Sequence, residues 1–237
     1  MTKFQFKQFS VEQDRCAMKI GTDGVLLGAW TPIDNNPANI LDIGTGTGVI
    51  ALMLAQRSNG QQIDALEIDE DAYEQAIDNF ENSPWSDRLF CFHAGLDEYA
   101  EEPEDEYDLI ISNPPFYTED YKSDNEQRDL ARFADAMPFE ELIEAADLLL
   151  SENGIFSTII PFKEEIHFLA IAKEYELYPF KITHVKGTPT SETKRSLLAF
   201  SRNETIDFPI DELIIEISRH NYTAEYISLT KDFYLKM

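Results

Sequence analysis

A short apolar run, Ile40-Leu41-Asp42-Ile43, breaks into Gly44-Thr45-Gly46-Thr47-Gly48 and passes at once into the mostly apolar helical pattern Val49 to Arg57. A strand that turns on glycines straight into a helix is the opening of a βαβ unit, and such units build a parallel sheet. The chain that follows keeps the alternation. Ile63 to Glu67 is a second strand. Glu70 to Asn82 sets Ala72, Tyr73, Ala76, Ile77 and Phe80 on one helical face. Arg88 to His93 is a third strand, and Tyr107 to Ser112, with its centre Leu109-Ile110-Ile111, is a fourth buried on both faces. Pro138 opens a helix with Leu142, Ile143, Ala146, Leu149 and Leu150 inward, and Gly154 punctuates before a fifth strand, Ile155 to Ile160. Upstream, Asp23 to Trp30 is a short helix that Thr22 is expected to cap.

The last third changes character. Lys163 to Tyr175 is helical, but Leu177 to Lys186, Ser196 to Ser201 and Leu213 to Ser218 are strands with no long helix between the later ones. At least one pair there is expected to be antiparallel. Tyr222, Tyr226, Leu229 and Phe233 form one helical face that packs back on the body. The expected fold class is α/β in a single domain over 1–237. It comprises an N-terminal extension (1–38), a core (39–161), and C-terminal strands and a helix (162–237).

Glycines let the loop at 44–48 turn tightly and approach a ligand closely. Its spacing is Gly-x-Gly-x-Gly, not the dinucleotide Gly-x-Gly-x-x-Gly, and the lysine and Ser/Thr of a phosphate-cradling P-loop are missing. Asp42 stands at the end of the first strand. Glu67 ends the next, nineteen residues past Gly48, where a carboxylate can accept both hydroxyls of a ribose.

Asn113-Pro114-Pro115-Phe116 comes directly after the fourth strand, and ligands bind at the carboxyl ends of strands in an open α/β sheet. An amino group on an aromatic ring is a poor nucleophile because its lone pair is delocalised. The Asn113 side-chain oxygen and the Pro114 carbonyl can accept its two hydrogens and aim the lone pair at an electrophile. The prolines, Pro115 included, fix the backbone and remove competing N–H donors. Phe116 offers a face for a base. No metal is required. The segment alone fits methyl transfer to any planar NH2, whether of adenine, guanine or a glutamine amide.

Hydrophobic residues make up 43% of the 237, a globular composition. No apolar run approaches the roughly 18 residues of a membrane span, and Met1 to Phe6 lacks an apolar signal core. Cys16 and Cys91 lie far apart without metal-ligand spacing and fit reduced thiols of a cytosolic protein. The net charge of −26 argues against a broad phosphate-binding surface. Acid gathers in Asp64 to Glu81 and Glu98 to Glu106. Base gathers in Lys181, Lys186, Lys194, Arg195 and Arg202, in Lys3, Lys7, Arg15 and Lys19, and in Lys122, Arg128 and Arg132.

The glycine loop, Glu67 and Asn-Pro-Pro-Phe together resemble the class I amino-methyltransferases. The stretch Asp14-Arg15-Cys16-Ala17-Met18-Lys19-Ile20-Gly21-Thr22-Asp23-Gly24 narrows the resemblance to the bacterial valine-tRNA adenine-37 N6-methyltransferases. Ser83-Pro84-Trp85, Ser112 to Tyr117, Leu197 to Ser201 and the tail Tyr226 to Leu235 extend it along nearly the whole chain. The resemblance implies a Rossmann-like, seven-stranded, mostly parallel sheet with an antiparallel final strand and helices on both faces. It implies S-adenosyl-L-methionine as methyl donor and N6 of adenine 37 in a valine tRNA as acceptor. The partner is then the anticodon stem-loop, the setting the cytoplasm, and the enzyme a monomer without metal. Asp42, Gly44, Gly46, Gly48 and Glu67 carry over as cofactor contacts, and Lys19 and Thr22 as neighbours of its methionine end. Asn113, Pro114 and Phe116 carry over as the catalytic segment, with Pro115 between them; Tyr117 and, from the basic group at 181–202, Lys194 and Arg195 are expected on the tRNA side. Many relatives have an acidic residue after the third strand for the cofactor's adenine. That position here is Gly95, so either the Leu96 backbone or Asp97 takes over, or the contact is lost.

Rival readings stay open. Protein-glutamine methyltransferases share Asn-Pro-Pro-aromatic but usually carry an N-terminal helical domain, against about 38 residues before the first strand here. Guanine-N2 rRNA enzymes typically continue with His, where this chain has Tyr117. A DNA adenine methyltransferase would need a target-recognition domain. A non-enzymatic RNA-binding scaffold would be expected to lose the Asn.

Overall fold

The apolar runs become one mixed sheet in the structure, a computed structural model that describes residues 3–101, 106–115 and 137–236. A small antiparallel hairpin, β1 (Lys3–Gln5) with β2 (Ser10–Glu12), leads into α1 (Thr22–Trp30). Then follow β3 (Asn39–Ile43), α2 (Val49–Arg57), β4 (Gln62–Glu67), α3 (Glu70–Glu81), β5 (Leu89–His93), α4 (Leu96–Glu101) and β6 (Tyr107–Ser112). After them come α5 (Phe139–Leu149), β7 (Leu150–Pro161), a 3-10 turn at Phe162–Glu164, α6 (Glu165–Glu174), β8 (Tyr178–Lys186), β9 (Thr193–Ser201) and β10 (Ile210–Ile214). A two-stranded piece, β11 (Glu216–Ser218) with β12 (Asn221–Tyr222), precedes α7 (Ala224–Thr230).

The sheet runs β10-β8-β9-β7-β6-β3-β4-β5. β3 to β7 are mutually parallel. β9 is antiparallel to both its neighbours, β7 and β8. The alternation Leu197, Leu198, Ala199, Phe200 shows how one strand serves two cores. Leu197 and Ala199 join α1, α2, α3 and α7 on one face, while Leu198 and Phe200 join α4, α5 and α6 on the other. Each such Leu, Ile or Phe contributes roughly 1.5–3 kcal/mol by burial.

The sheet carries one strand more than the expected seven. β10 adds to the outer edge of β8 in parallel, from Ile210↔Ile182 to Ile214↔Lys186. The expected strand Leu213–Ser218 is divided at Ile215, where β10 ends and β11 begins. The fifth strand starts five residues early, at Leu150. Its register on β6 shifts between Tyr107↔Leu150 and Leu109↔Ile155, with Gly154 folded against Leu150. Thr22 does not cap α1. Gly21 holds the cap position and no side chain accepts there, so Thr22 is the first helical residue. Of the terminal face, Tyr226 and Phe233 are buried, but Tyr222 stands on β12 and Phe233 lies past α7. No described helix is long and apolar enough to cross a membrane.

Candidate active site

The carboxyl ends of the parallel strands and the start of β9 share one edge of the sheet, and the site lies along it. Gly44, Gly46 and Gly48 all have positive φ, at 70°, 56° and 78°. Their surroundings differ. A Cβ on Gly44 or Gly46 would meet nothing within 4 Å, whereas one on Gly48 would sit 2.5 Å from the Phe80 ring. The first two glycines therefore leave a bare backbone cradle. The third exists so that α3 can close on the start of α2. Asn79 of α3 pins the arrangement, donating to the Thr47 carbonyl at 2.9 Å and to the Glu12 carbonyl at 2.9 Å.

Glu67 Oε2 accepts from the Gly46 amide at 2.8 Å, and Oε1 accepts from the Ile68 and Asp69 amides, both at 2.9 Å. The carboxylate is thus fixed at the rim of an open cleft of about 220 Å³. Gly44, Glu67, Ile68, Leu96, Asp97 and Met137 line it, with Pro138 and Glu141 at the start of α5. Ile68 is 72% exposed and supplies apolar surface. Leu96 itself is buried, while Asp97 is exposed, its Oδ1 2.6 Å from where a Gly95 Cβ would lie. A side chain at position 95 would displace the Asp97 carboxylate from this position.

Asp42, expected as a direct cofactor contact, is fully buried. Its Oδ2 accepts from Thr45 Oγ1 at 2.6 Å and from the Ala51 amide at 3.2 Å, so it fastens the glycine loop to the first turn of α2. Burial pushes the carboxyl up to about 7, against the pull of those hydrogen bonds. A carboxyl whose pKa rises on folding binds its proton more tightly folded than unfolded. Its contribution to stability is complete below about 4 and is lost as pH climbs through about 7. Urea titrations of Asp42→Asn and the wild type should therefore diverge in pH dependence between about pH 4 and 8. The wild type should lose a few kcal/mol more than the variant across that window. Parallel curves would refute the buried acid. Cys16 and Cys91 are separate free thiols, and burial pushes each up to about 12, which keeps them unreactive.

The catalytic segment begins where Ser112 Oγ donates to the Ile43 carbonyl at 2.9 Å, tying the end of β6 to that of β3. Asn113 and Pro115 are half-buried and Pro114 is buried. Phe116 and Tyr117, like Lys122, Arg128 and Arg132, lie outside the described residues. The start of α1 lies near Asn113, with room for a methyl group between them. A Cβ on Gly24 would lie 3.9 Å from Asn113 Nδ2, 3.6 Å from Val49 and 3.8 Å from Ile50. Gly24 is not among the expected site residues. Thr22 is exposed in the same first turn. Lys19 precedes it, exposed, its ammonium 3.4 Å from the Gln13 carbonyl. Neither lines the cleft beside Glu67.

The basic strip does not survive as a surface. Lys181 Nζ lies 4.3 Å over the Trp30 ring and donates to the Trp30 carbonyl. Lys186 pairs with Glu212 at 2.6 Å, and Arg202 pairs with Asp147 at 2.5 Å on the opposite edge of the sheet. Arg15 pairs with Glu74 and Asp78 of α3, and Lys3 lies 3.6 Å from Glu12. Arg195, expected on the tRNA side, directs Nε to Asp23 at 2.8 Å, with its side chain 18% exposed. It braces the first turn of α1 beside Asn113. Lys194 is exposed and makes no ion pair among the described residues.

A glycine cradle, a carboxylate at the end of the second strand and Asn-Pro-Pro at the end of the fourth define a class I S-adenosylmethionine-dependent methyltransferase. The Methyltransferase small domain family matches residues 25–174. A predicted O-methyltransferase of Agrobacterium tumefaciens superposes with a TM-score of 0.68 at 18% identity, covering 89% of this chain and 96% of its own, a likeness of fold. The tRNA1(Val) (adenine(37)-N6)-methyltransferases of Flavobacterium johnsoniae and Flavobacterium psychrophilum are each 76% identical over 234 residues, 99% of this chain and 100% of theirs. The chain belongs to the tRNA1(Val) (adenine(37)-N6)-methyltransferase family.

Proposed function

We propose that the chain transfers a methyl group from S-adenosylmethionine to N6 of adenine 37 in tRNA1(Val), working in the cytoplasm as a monomeric single domain. The observation that carries the chemistry is the place of Asn113, half-buried directly after the end of β6 at the carboxyl edge of the parallel strands. The choice of acceptor rests on relatives of that name at 76% identity.

The cleft fits the cofactor. Bare backbone at Gly44 and Gly46 admits close approach, the Glu67 carboxylate stands ready for ribose hydroxyls, and Ile68 and Met137 give apolar walls for an adenine. When bound, S-adenosylmethionine supplies an electrophilic methyl on a sulfonium. The protein's share is orientation. Asn113 Oδ1 and the Pro114 carbonyl accept the two amino hydrogens, and Phe116 stacks the flipped base. As the nitrogen takes the methyl it turns acidic, and its proton leaves to water without a strong base.

The test is to incubate the enzyme with labelled methyl donor and bulk tRNA lacking the modification, then map the label by mass spectrometry. Label on N6 of adenine 37 in valine tRNA is expected. Label on guanine N2, or on protein glutamine when protein is added, would overturn the reading.

A further inference from the structure

Phe162 is a large apolar side chain in an exposed place. It follows Pro161, the last residue of β7, and remains 40% exposed, with Ile166 one turn on at 83%. Ser112, just before Asn113, pairs with Thr158, and β7 runs three residues further to Pro161, about 10 Å. Phe162 therefore stands on the lip above the catalytic segment. The β7–β9 register ends at Pro161↔Arg195, and Phe162, which opens the 3-10 turn, and Lys194 are the next residues along the two strands. The ring is braced. It meets His184 edge-on at 4.8 Å and 78°, and His184 Nε2 lies 2.8 Å from Glu165 Oε2, to which Ser196 Oγ also donates.

We infer that Phe162 is a second stacking platform, which takes the base of a nucleotide flanking the target adenine while Lys194 holds a phosphate of the same strand. The inference rests on the proposed RNA substrate. Drawing one adenine out of a loop unstacks its neighbour, and an aromatic face gives that neighbour a new partner of any sequence. A braced ring loses little freedom on binding. In a chain of net charge −26, where most basic groups flanking the site are engaged locally, an exposed ammonium beside an exposed aromatic suits a nucleotide better than an acidic or purely apolar partner.

The experiment uses the unmodified anticodon stem-loop of valine tRNA, with 2-aminopurine next to the target adenine. Phe162→Leu keeps apolar packing on His184 but cannot stack. It should raise KM for the RNA about tenfold and abolish the fluorescence quenching expected on wild-type binding, with cofactor affinity and kcat unchanged. Phe162→Trp should restore both, and Lys194→Ala should lower the salt slope of RNA binding by about one. Phe162→Leu with wild-type KM and quenching overturns the platform. If Asn113→Ala is inactive in the same series, the methyltransferase reading stands without it. A wild type that leaves adenine 37 unlabelled overturns both.

Discussion

Asn113→Ala should lower kcat by about 10² to 10³ and leave cofactor affinity within about twofold. In the proposed mechanism the alanine removes the side-chain acceptor of the amino group. The Pro114 carbonyl remains, so one hydrogen is still held while the nitrogen is free to swing about it. The loss belongs to the transition state, where the lone pair must leave the ring and the N–H bonds become more acidic. It should appear in single-turnover rates with saturating RNA rather than in KM. The proposed cofactor cradle is built from β3 and β4, through Gly44, Gly46 and Glu67, and the hydrogen bonds that fix Glu67 come from Gly46, Ile68 and Asp69 rather than from Asn113. Calorimetric binding of S-adenosylmethionine should therefore be retained. Near-wild-type turnover would sink the two-acceptor mechanism.

Gly48→Ala should be the costliest of the three loop substitutions, at about 2–5 kcal/mol of stability. A non-glycine residue at φ 78° costs roughly 1–2 kcal/mol. The new methyl also lands 2.5 Å from Phe80, which is 3% exposed and has no room to withdraw. Overpacking of that kind adds about 1–3 kcal/mol. Gly44→Ala and Gly46→Ala carry the backbone penalty alone, and their main effect should fall on cofactor binding. Urea unfolding measures the difference, and a cycle with Phe80→Leu isolates the steric part. A Gly48→Ala protein within about 0.5 kcal/mol of wild type would show that α3 yields at this contact.

The strand and helix order is legible in the sequence because buried strands and amphipathic helices imprint their periods on the chain, as in Leu109-Ile110-Ile111 and in Ala72, Ala76 and Phe80. The early start of β7 is not, because Asn153-Gly154 has the composition of a turn while here it is folded back in a register shift. The roles of the basic residues are hidden for a different reason. Arg195 and Asp23 are 172 positions apart, and only the insertion of β9 into the sheet brings them together. A count of charges along the sequence sees Arg195 as one more surface cation, whereas the fold uses it to hold α1. Glu67, Gly44 and Gly46 can be placed from the sequence because a strand-to-helix turn fixes them locally. Asp42 falls at the expected place in the chain but one layer deeper than expected, since the sequence does not say which face of a strand end looks into the cleft.

The position of β9 has a consequence for how the molecule comes into being. It lies between β7 and β8, both of which are synthesised before it, so the sheet cannot grow by adding each new strand to the edge. β8 cannot settle against β7 without closing the slot that β9 must fill. The simplest order is for β8 and β9 to zip as an antiparallel hairpin across 187–192 and then dock as a unit, β9 first, onto β7. Arg195 reaches Asp23 only at that docking, and with it the first turn of α1 is secured beside Asn113. In that order the proposed cofactor cradle forms before the proposed grip on the base is complete.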